Sequence, residues 1–125
     1  MSAFLDTHAA VFLNDRRFDL FGAAGRRLLE TSQLSLSPMV MLELDLLHQI
    51  GRISIPPRDI VQGLVADYQV QIASDRMAEV VEVALDLRWT RDPFDRLIVA
   101  HATLLHAPLL TRDRILAENY PRVVW

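Results

Sequence analysis

Short apolar runs alternate with longer helical patterns along the whole chain, and this alternation constrains the fold more than any other feature. Strands that alternate with helices form βαβ units, whose strands lie parallel in one sheet. The 125 residues are enough for one domain with its own core. We therefore predict an α/β fold with a parallel sheet, in a single domain that spans residues 1–125.

The local pattern also predicts where the elements lie. Pro38 and Pro93 suit the first helical position, Gly51 suits a helix end, and Asp75 and Asp92 suit N-caps. The predicted strands are 2–6, 34–37, 70–73, 109–111 and an edge strand at 122–125. The predicted helices are 7–14, 21–31, 38–50, 60–68, 75–87 and 93–106, with a short one after Asp113.

The composition excludes several kinds of chemistry. The chain has no cysteine, so disulfides, zinc–thiolate sites and thiol catalysis are excluded. All 13 basic residues are arginine. A P-loop needs a lysine on the phosphates, and receiver-like and haloacid-dehalogenase-like domains use one beside their catalytic aspartate. We therefore expect none of these activities.

The net charge of −3 and the 51% hydrophobic content bear on partners. A protein that coats nucleic acid has a basic balance, so any RNA must be held by a local basic rim or by bound cations. The apolar content indicates either a surface that a partner covers or a well-filled core. The first residues lack the basic start of a secretion signal, and no apolar run approaches the ~18 residues of a membrane helix. We expect a soluble, cytoplasmic protein that does not contact a membrane.

Four acids fall at one predicted edge of the sheet. Asp6 ends the first strand, and Asp113 follows the fourth. Glu43 lies in the helix after the second strand. Asp95 lies in the first turn of the helix before the fourth strand, which the right-handed crossover rule places at the same edge. Ligands of open α/β sheets bind beyond the carboxyl ends of the strands.

Each of these acids also has a structural interpretation. Asp6 and Asp113 are possible N-caps, and Asp92 is a possible cap for a helix that carries Asp95 near its positive end. Glu43 is a possible solvent-exposed helix acid. Its helix, however, is apolar almost all round, which predicts burial, and a lone buried carboxylate is costly. Asp45 lies on another face and is expected to be solvated.

Converging carboxylates repel each other and raise each other's pKa, and a hard divalent cation relieves that repulsion. Mg²⁺ or Mn²⁺ suits an all-oxygen site with few protein ligands. Such a site can ionise a water molecule and stabilise a phosphoryl oxygen.

Four segments resemble the PIN domain and, within that family, the VapC-type toxins of prokaryotic toxin–antitoxin pairs. They are Phe4-Leu5-Asp6-Thr7-His8, Leu42-Glu43 in a helix that ends at Gly51-Arg52-Ile53, Arg91-Asp92-Pro93-Phe94-Asp95-Arg96 and Leu110-Thr111-Arg112-Asp113. They run in the family's order over nearly the whole chain. One departure is that Met41-Leu42 precede the glutamate, where such toxins commonly carry an aromatic or basic residue.

The resemblance implies a three-layer α/β/α sandwich and a Mg²⁺- or Mn²⁺-dependent endoribonuclease. By position, Asp6, Glu43, Asp95 and Asp113 match the acidic quartet, with Asp92 as a weaker candidate. Thr7 and Thr111 match small polar residues that accompany the metal ligands. The resemblance also implies a homodimer and an antitoxin, whose amphipathic segment lies in a groove formed near residues 38–50 and 60–65 and whose arginine blocks the acidic site.

Several residues keep two interpretations. The arginines near the predicted edge are either a phosphate-binding rim or ordinary surface residues; they are Arg16, Arg17, Arg91, Arg96, Arg112 and Arg114. Arg96 could instead pair with a carboxylate, and His8 could line the cleft. No aromatic stacking platform is evident, so we expect RNA to be recognised by its shape and phosphates. The competing functions are a catalytically degenerate PIN-like module that binds a protein, and another metal-dependent phosphoesterase.

Overall fold

The computed structural model describes residues 2–125, and within that range the strands form one parallel sheet. The sheet has five strands in the order β3-β2-β1-β4-β5. They are β1 (Ser2–Leu5), β2 (Gln33–Leu36), β3 (Gln71–Ile72), β4 (Leu109–Leu110) and β5 (Val123–Val124). The predicted α/β class, the parallel sheet and the edge strand near the C-terminus are confirmed.

Seven α-helices connect and cover these strands in the described range. They are α1 (Thr7–Asn14), α2 (Ala23–Thr31), α3 (Pro38–Gln49), α4 (Pro57–Tyr68), α5 (Met77–Asp86), α6 (Pro93–Leu104) and α7 (Arg114–Asn119), with a short 3-10 turn at Phe18–Leu20. Prolines begin α3, α4 and α6, where a missing N–H leaves no helical bond unmade. No helix in residues 2–125 is long and apolar enough to cross a membrane.

Three helix starts differ from the prediction. Asp75 does not cap α5, because Arg76 takes that position with a left-handed φ of 61° and its guanidinium binds both oxygens of Glu79 at 3.0 and 2.7 Å. Helix α4 begins at Pro57 rather than at residue 60, since the proline rule applies there too. Helix α2 begins at Ala23 rather than at residue 21.

Helices cover both faces of the sheet. Successive side chains of a strand point to opposite faces, yet Ala3, Phe4 and Leu5 of β1 are all completely buried. Burial of both faces is the ordinary condition of a parallel sheet, and it explains why β1 is a continuous apolar run. The three-layer α/β/α arrangement is therefore confirmed.

Helix α3 is less buried than its sequence predicts. Only Val40 and Leu44 on this helix are fully buried. Leu42, Leu46 and Ile50, spaced four residues apart, are 55%, 43% and 59% exposed. The prediction that α3 is largely buried was wrong, because an apolar helix does not reveal which of its faces the rest of the fold covers. The α3 stripe, as we call Leu42, Leu46 and Ile50, is an apolar surface that the rest of residues 2–125 leaves exposed.

An aromatic cluster packs Trp125 against α1 and α2. The Trp125 ring stacks on Phe21 with 4.7 Å between ring centroids and meets Phe12 edge-on at 6.2 Å. The close approach depends on glycine: a Cβ on Gly25 would lie 2.9 Å from the Trp125 carbonyl carbon. The C-terminal residue is thus packed into the fold beside α1.

Candidate active site

The carboxyl ends of β1, β2 and β4 form one edge of the sheet, and polar residues follow each strand there. Asp6 and Thr7 follow β1, Ser37 follows β2, and Thr111 follows β4. The Asp6 N–H donates to the Leu110 carbonyl at 3.0 Å, so the ends of β1 and β4 lie side by side. This edge is where the sequence predicted an acidic site.

Asp6 is the most buried of the predicted site acids, with 8% of its surface exposed. One carboxylate oxygen caps α1 by accepting the Ala9 N–H at 2.8 Å, and the other accepts the Thr111 hydroxyl. Burial raises the pKa of Asp6 above its usual value, and the bonds from Thr111 and Ala9 oppose that rise. The neighbouring charge of Glu43 raises the same pKa further.

Thr111 joins two of the acids. Besides donating to Asp6, its oxygen accepts the Asp113 N–H at 3.0 Å. Asp113 caps α7 through Oδ1, which accepts the N–H groups of Ile115 and Leu116 at 2.8 and 3.1 Å. The capping interpretation of Asp113 is therefore confirmed. The cap uses only Oδ1, and no hydrogen bond among residues 2–125 involves Oδ2.

Glu43 projects from the second turn of α3 and is half-buried. Its Oε1 accepts the hydroxyl of Thr7, the first residue of α1. The structure thus brings Thr7 to Glu43 and Thr111 to Asp6. Two threonines that follow neighbouring strands each hold one acid of the predicted quartet.

Asp95 has the strongest electrostatic signature at this edge. Burial is the largest cause of a raised pKa, which reaches about 7 for this carboxyl. The other causes are the like charges of four acids, which are Asp92, Glu43, Asp113 and Asp6 in decreasing order. Asp95 is therefore close enough to each of the other predicted acids for their charges to raise its pKa.

Asp92 is the N-cap of α6, as one interpretation of the sequence predicted. Its Oδ1 accepts the N–H of Phe94 at 2.8 Å and that of Asp95 at 3.4 Å. The Asp92 side chain is exposed, and its own N–H donates to the Thr90 hydroxyl at 3.1 Å.

The acids converge, but they do not form a closed ligand shell. In the described part of the chain, no three acidic or histidine side chains approach closely enough to hold a metal ion together. Asp6, Glu43 and Asp113 each accept hydrogen bonds from nearby threonines or helix N–H groups, which stabilise their ionised forms. The donor chemistry, oxygen only and anionic, still fits a hard divalent cation.

Arg96 follows Asp95 in sequence, but its side chain leaves the acidic edge. Its guanidinium donates to the Ala84 carbonyl at 3.1 and 2.9 Å, near the end of α5. These bonds join α5 to α6 at a carbonyl that also accepts the Leu87 N–H at 3.1 Å. Within residues 2–125, Arg96 makes no bond to a carboxylate.

Of the other five arginines predicted for a phosphate-binding rim, two form ion pairs with aspartates. Arg16 pairs with Asp67 at 3.4 Å, and Arg17 binds Asp19 at 2.9 Å. Arg112 instead lies over the ring of Phe12, with its Cζ 4.7 Å from the centroid. Arg91 and Arg114 are exposed.

Two histidines have distinct surroundings. His8 is exposed in the first turn of α1, one residue after Thr7, so it lies beside the acidic edge. His101 is 1% exposed on α6 and packs against Phe4 at 4.9 Å between ring centroids. Burial lowers the pKa of His101, so this side chain serves as a packing residue inside the fold.

These features define a class: an α/β protein whose acidic side chains gather at the carboxyl edge of a parallel sheet. The PIN domain family matches residues 3–120, which is nearly the whole chain. The chain therefore belongs to the PIN domain family. Comparison with curated protein sequences gives no match.

Solved structures agree on the fold. VapBC2 from Rickettsia felis, bound to a DNA fragment from its promoter, aligns with a TM-score of 0.66 at 16% identity, over 99% of this chain and 96% of that one. A toxin–antitoxin complex from Klebsiella pneumoniae gives 0.61 at 17% identity, over 98% and 96%. VapBC-1 from nontypeable Haemophilus influenzae gives 0.58 at 16% identity, over 100% and 96%.

Proposed function

We propose that this PIN domain is a Mg²⁺- or Mn²⁺-dependent endoribonuclease and the toxin of a toxin–antitoxin pair. The proposal is supported by the positions of Asp6, Glu43, Asp95 and Asp113 near the carboxyl edge of the sheet, where burial and the like charges of neighbouring acids raise the pKa of Asp95 to about 7. Proteins of this family are generally nucleases that use divalent metals, and the similar solved structures are toxin–antitoxin complexes.

The four acids would hold the cation, and their capping roles do not prevent this. A helix cap needs one carboxylate oxygen, and Asp113 uses only Oδ1 for that purpose. Asp92 likewise caps α6 through Oδ1 and remains a weaker fifth ligand. A bound Mg²⁺ would lower the pKa of a water molecule and stabilise the charge that develops on the phosphodiester.

The chain's own residues would orient the site before any metal arrives. Thr111 fixes one oxygen of Asp6, and Thr7 fixes one oxygen of Glu43. Asp95, with a pKa of about 7, holds a proton for part of the time at neutral pH and must release it when a cation binds. The reaction would be hydrolysis, in which a water oxygen bonds to phosphorus as the bond to the 3′-oxygen breaks.

The experiment is RNA cleavage by the purified protein with Mg²⁺, Mn²⁺ or chelator. Asp6→Asn and Asp95→Asn should abolish metal-dependent cleavage of single-stranded and structured RNA. Asp86→Asn changes an exposed aspartate at the end of α5 and should cleave like the wild type. Cleavage that survives in chelator, or in both site variants, would contradict the proposal.

A protein-binding module without catalysis is the second candidate. It is favoured by one observation, that no three ligand side chains within residues 2–125 meet closely enough to hold an ion. Mn²⁺ titration followed by electron paramagnetic resonance separates the two candidates. If the site is catalytic, the wild type should bind Mn²⁺ and the Asp95→Asn variant should not. If the protein is only a binding module, neither should bind Mn²⁺.

The proposed antitoxin would bind in an apolar cavity of about 360 Å³ between α1, the 3-10 turn, α2 and the end of α4. Leu13, Phe18, Leu29 and Tyr68 supply its apolar lining, with Arg26 and Glu30 at its side. Such a groove suits the apolar face of an amphipathic helix. A wider depression of about 690 Å³ lies between α3 and the start of α4, nearer the region that the sequence predicted.

Co-expression with the product of an adjacent small reading frame tests the antitoxin. Tyr68→Glu should prevent co-purification, because a buried charge would face the apolar side of the partner helix. Ile115→Glu adds the same charge at an exposed residue outside the cavity and should not. We further propose that the protein forms a homodimer, in which the α3 stripe of one copy packs against the α3 stripe of the other. We propose that this homodimer is cytoplasmic.

A further inference from the structure

Two exposed side chains lie next to the residues that organise the acidic edge. Arg112 stands between Thr111, which binds Asp6, and Asp113. His8 directly follows Thr7, which binds Glu43. Both side chains are therefore exposed beside the acidic edge.

The ring of Phe12 lies close to both Arg112 and His8. The Arg112 Cζ is 4.7 Å from the centroid of the Phe12 ring, and the His8 ring is 6.4 Å from it. Phe12 is itself held edge-on by Phe21 and Trp125, at 6.4 and 6.2 Å between centroids. The ring beneath the Arg112 guanidinium is therefore itself packed against two aromatic neighbours.

Arg112 has no anionic partner in the part of the chain that the structure describes. The ion pairs there join Arg16 to Asp67, Arg17 to Asp19 and Arg76 to Glu79. Arg112 is exposed and donates no hydrogen bond to another described residue, although Asp113 is its neighbour in sequence. Its N–H groups and one face of its guanidinium are therefore free for a ligand.

We propose that Arg112 and His8, resting on Phe12, bind a nucleotide of single-stranded RNA beside the acidic edge. A planar guanidinium between an aromatic ring and a base gains stacking and cation–π energy, and its edge can bind a phosphate. The bases of a duplex are stacked inside and cannot reach such a platform. From the sequence we expected RNA to be recognised by its shape and phosphates alone. The platform, as we call Arg112 and His8 beside the Phe12 ring, adds stacking on a base. The inference rests on the proposed ribonuclease function.

The test measures binding without cleavage. Fluorescence anisotropy with labelled oligouridine, and with a duplex of the same length, is recorded in chelator for the wild type and four variants. Arg112→Ala should weaken binding of the single strand at least about fivefold. It should also reduce the slope of log affinity against log salt by about one, because a phosphate contact is lost. His8→Ala should weaken binding to a smaller extent.

Two further variants separate the platform from general charge. Arg112→Lys keeps the charge but not the plane, so it should keep the wild-type salt slope and still bind more weakly than the wild type. Arg122→Ala is the matched control, since Arg122 is exposed just before β5, at the end of the sheet opposite to the acids. It should bind within about twofold of the wild type. Thermal unfolding of each variant checks that the fold is intact.

The inference is overturned if Arg112→Ala binds like the wild type, if Arg122→Ala loses as much affinity, or if the duplex binds as tightly as the single strand. A wild type that does not bind oligouridine overturns it as well. Its failure differs from failure of the ribonuclease proposal. If the protein cleaves RNA with metal but Arg112→Ala binds RNA like the wild type, only the proposed role of Arg112 is rejected. If binding depends on Arg112 but no cleavage occurs, only the ribonuclease proposal is rejected.

Discussion

The hydroxyl of Thr111 donates a hydrogen bond to the carboxylate of Asp6, and it joins the ends of β4 and β1 across 105 positions of sequence. The same oxygen accepts the Asp113 N–H. One buried threonine therefore positions two acids of the proposed metal site. This relationship makes Thr111 as informative a target for mutation as the acids themselves.

Thr111→Val keeps the shape of the side chain and removes both hydrogen bonds. We expect a loss of about 1–3 kcal/mol in the free energy of unfolding, because a buried carboxylate loses a donor. The loss should be larger at pH 8 than at pH 5, since the bond stabilises the ionised form of Asp6 and lowers its pKa. Urea unfolding at the two pH values measures it. Thr31→Val removes an exposed hydroxyl bond to Arg27 and should cost much less.

The Asp95 carboxyl predicts an unusual dependence of stability on pH. Its pKa is raised from 3.8 to about 7, so between these values the folded chain keeps a proton that the unfolded chain has released. The free energy of unfolding in chelator should therefore fall as the pH rises through this window.

Asp95→Asn removes the charge that the fold disfavours. In chelator at pH 8 we expect this variant to be more stable than the wild type and to show a flatter pH profile. Asp86→Asn should keep the wild-type profile. Equal profiles for the wild type and Asp95→Asn would show that the acids do not interact as the structure implies. Added Mg²⁺ should stabilise the wild type and not Asp95→Asn.

Two glycines in helices predict opposite effects of the same substitution. A Cβ on Gly25 would lie 2.9 Å from the Trp125 carbonyl carbon and 3.2 Å from Leu110 Cδ2, neither of which can move freely. Gly25→Ala should destabilise the fold by about 1–3 kcal/mol despite its better helix propensity.

Gly63 is the matched case in α4. A Cβ there would meet only the Asn14 side chain, with its Oδ1 at 2.7 Å, and that side chain can rotate away. Gly63→Ala should therefore be neutral or should stabilise the fold by up to about 1 kcal/mol. Thermal and urea unfolding measure both variants, and a loss at Gly63 as large as that at Gly25 would contradict this account.

The α3 stripe predicts the behaviour of the protein in solution. If it covers a second copy, Leu46→Glu should shift the protein from dimer to monomer in sedimentation velocity, because a charge would be buried in the interface. Leu105→Glu changes another exposed leucine, at 41% exposure, and should leave the dimer intact. A wild type that sediments as a monomer at all concentrations would reject the homodimer.

The order of elements was predictable because its signals are local. Proline at the first helical position, aspartates that cap α6 and α7, and short apolar runs for the strands act within a few residues. The errors came where local signals compete. Arg76, in a left-handed conformation, is the N-cap of α5 in place of the better capping residue Asp75, and its side chain binds Glu79.

For the acids, the sequence could predict only that they lie at the same edge of the sheet. A parallel sheet brings the carboxyl ends of its strands together, so Asp6 and Asp113 had to be near one another. Which donor each acid would meet was not encoded in the spacing. The same holds for Arg96, which the pattern left between a phosphate, a carboxylate and solvent, and which instead binds the Ala84 carbonyl.

The sequence by itself determined the α/β class, the parallel strands, the helix starts at proline and the four acids of the PIN pattern. These follow from propensities and periodicities that act over one element. Only the tertiary structure decided the strand order, the exposure of the α3 stripe, the pairing of Thr111 with Asp6 and the position of Arg112 over Phe12. Such contacts join residues far apart in the chain, and they depend on how whole elements pack rather than on any local preference.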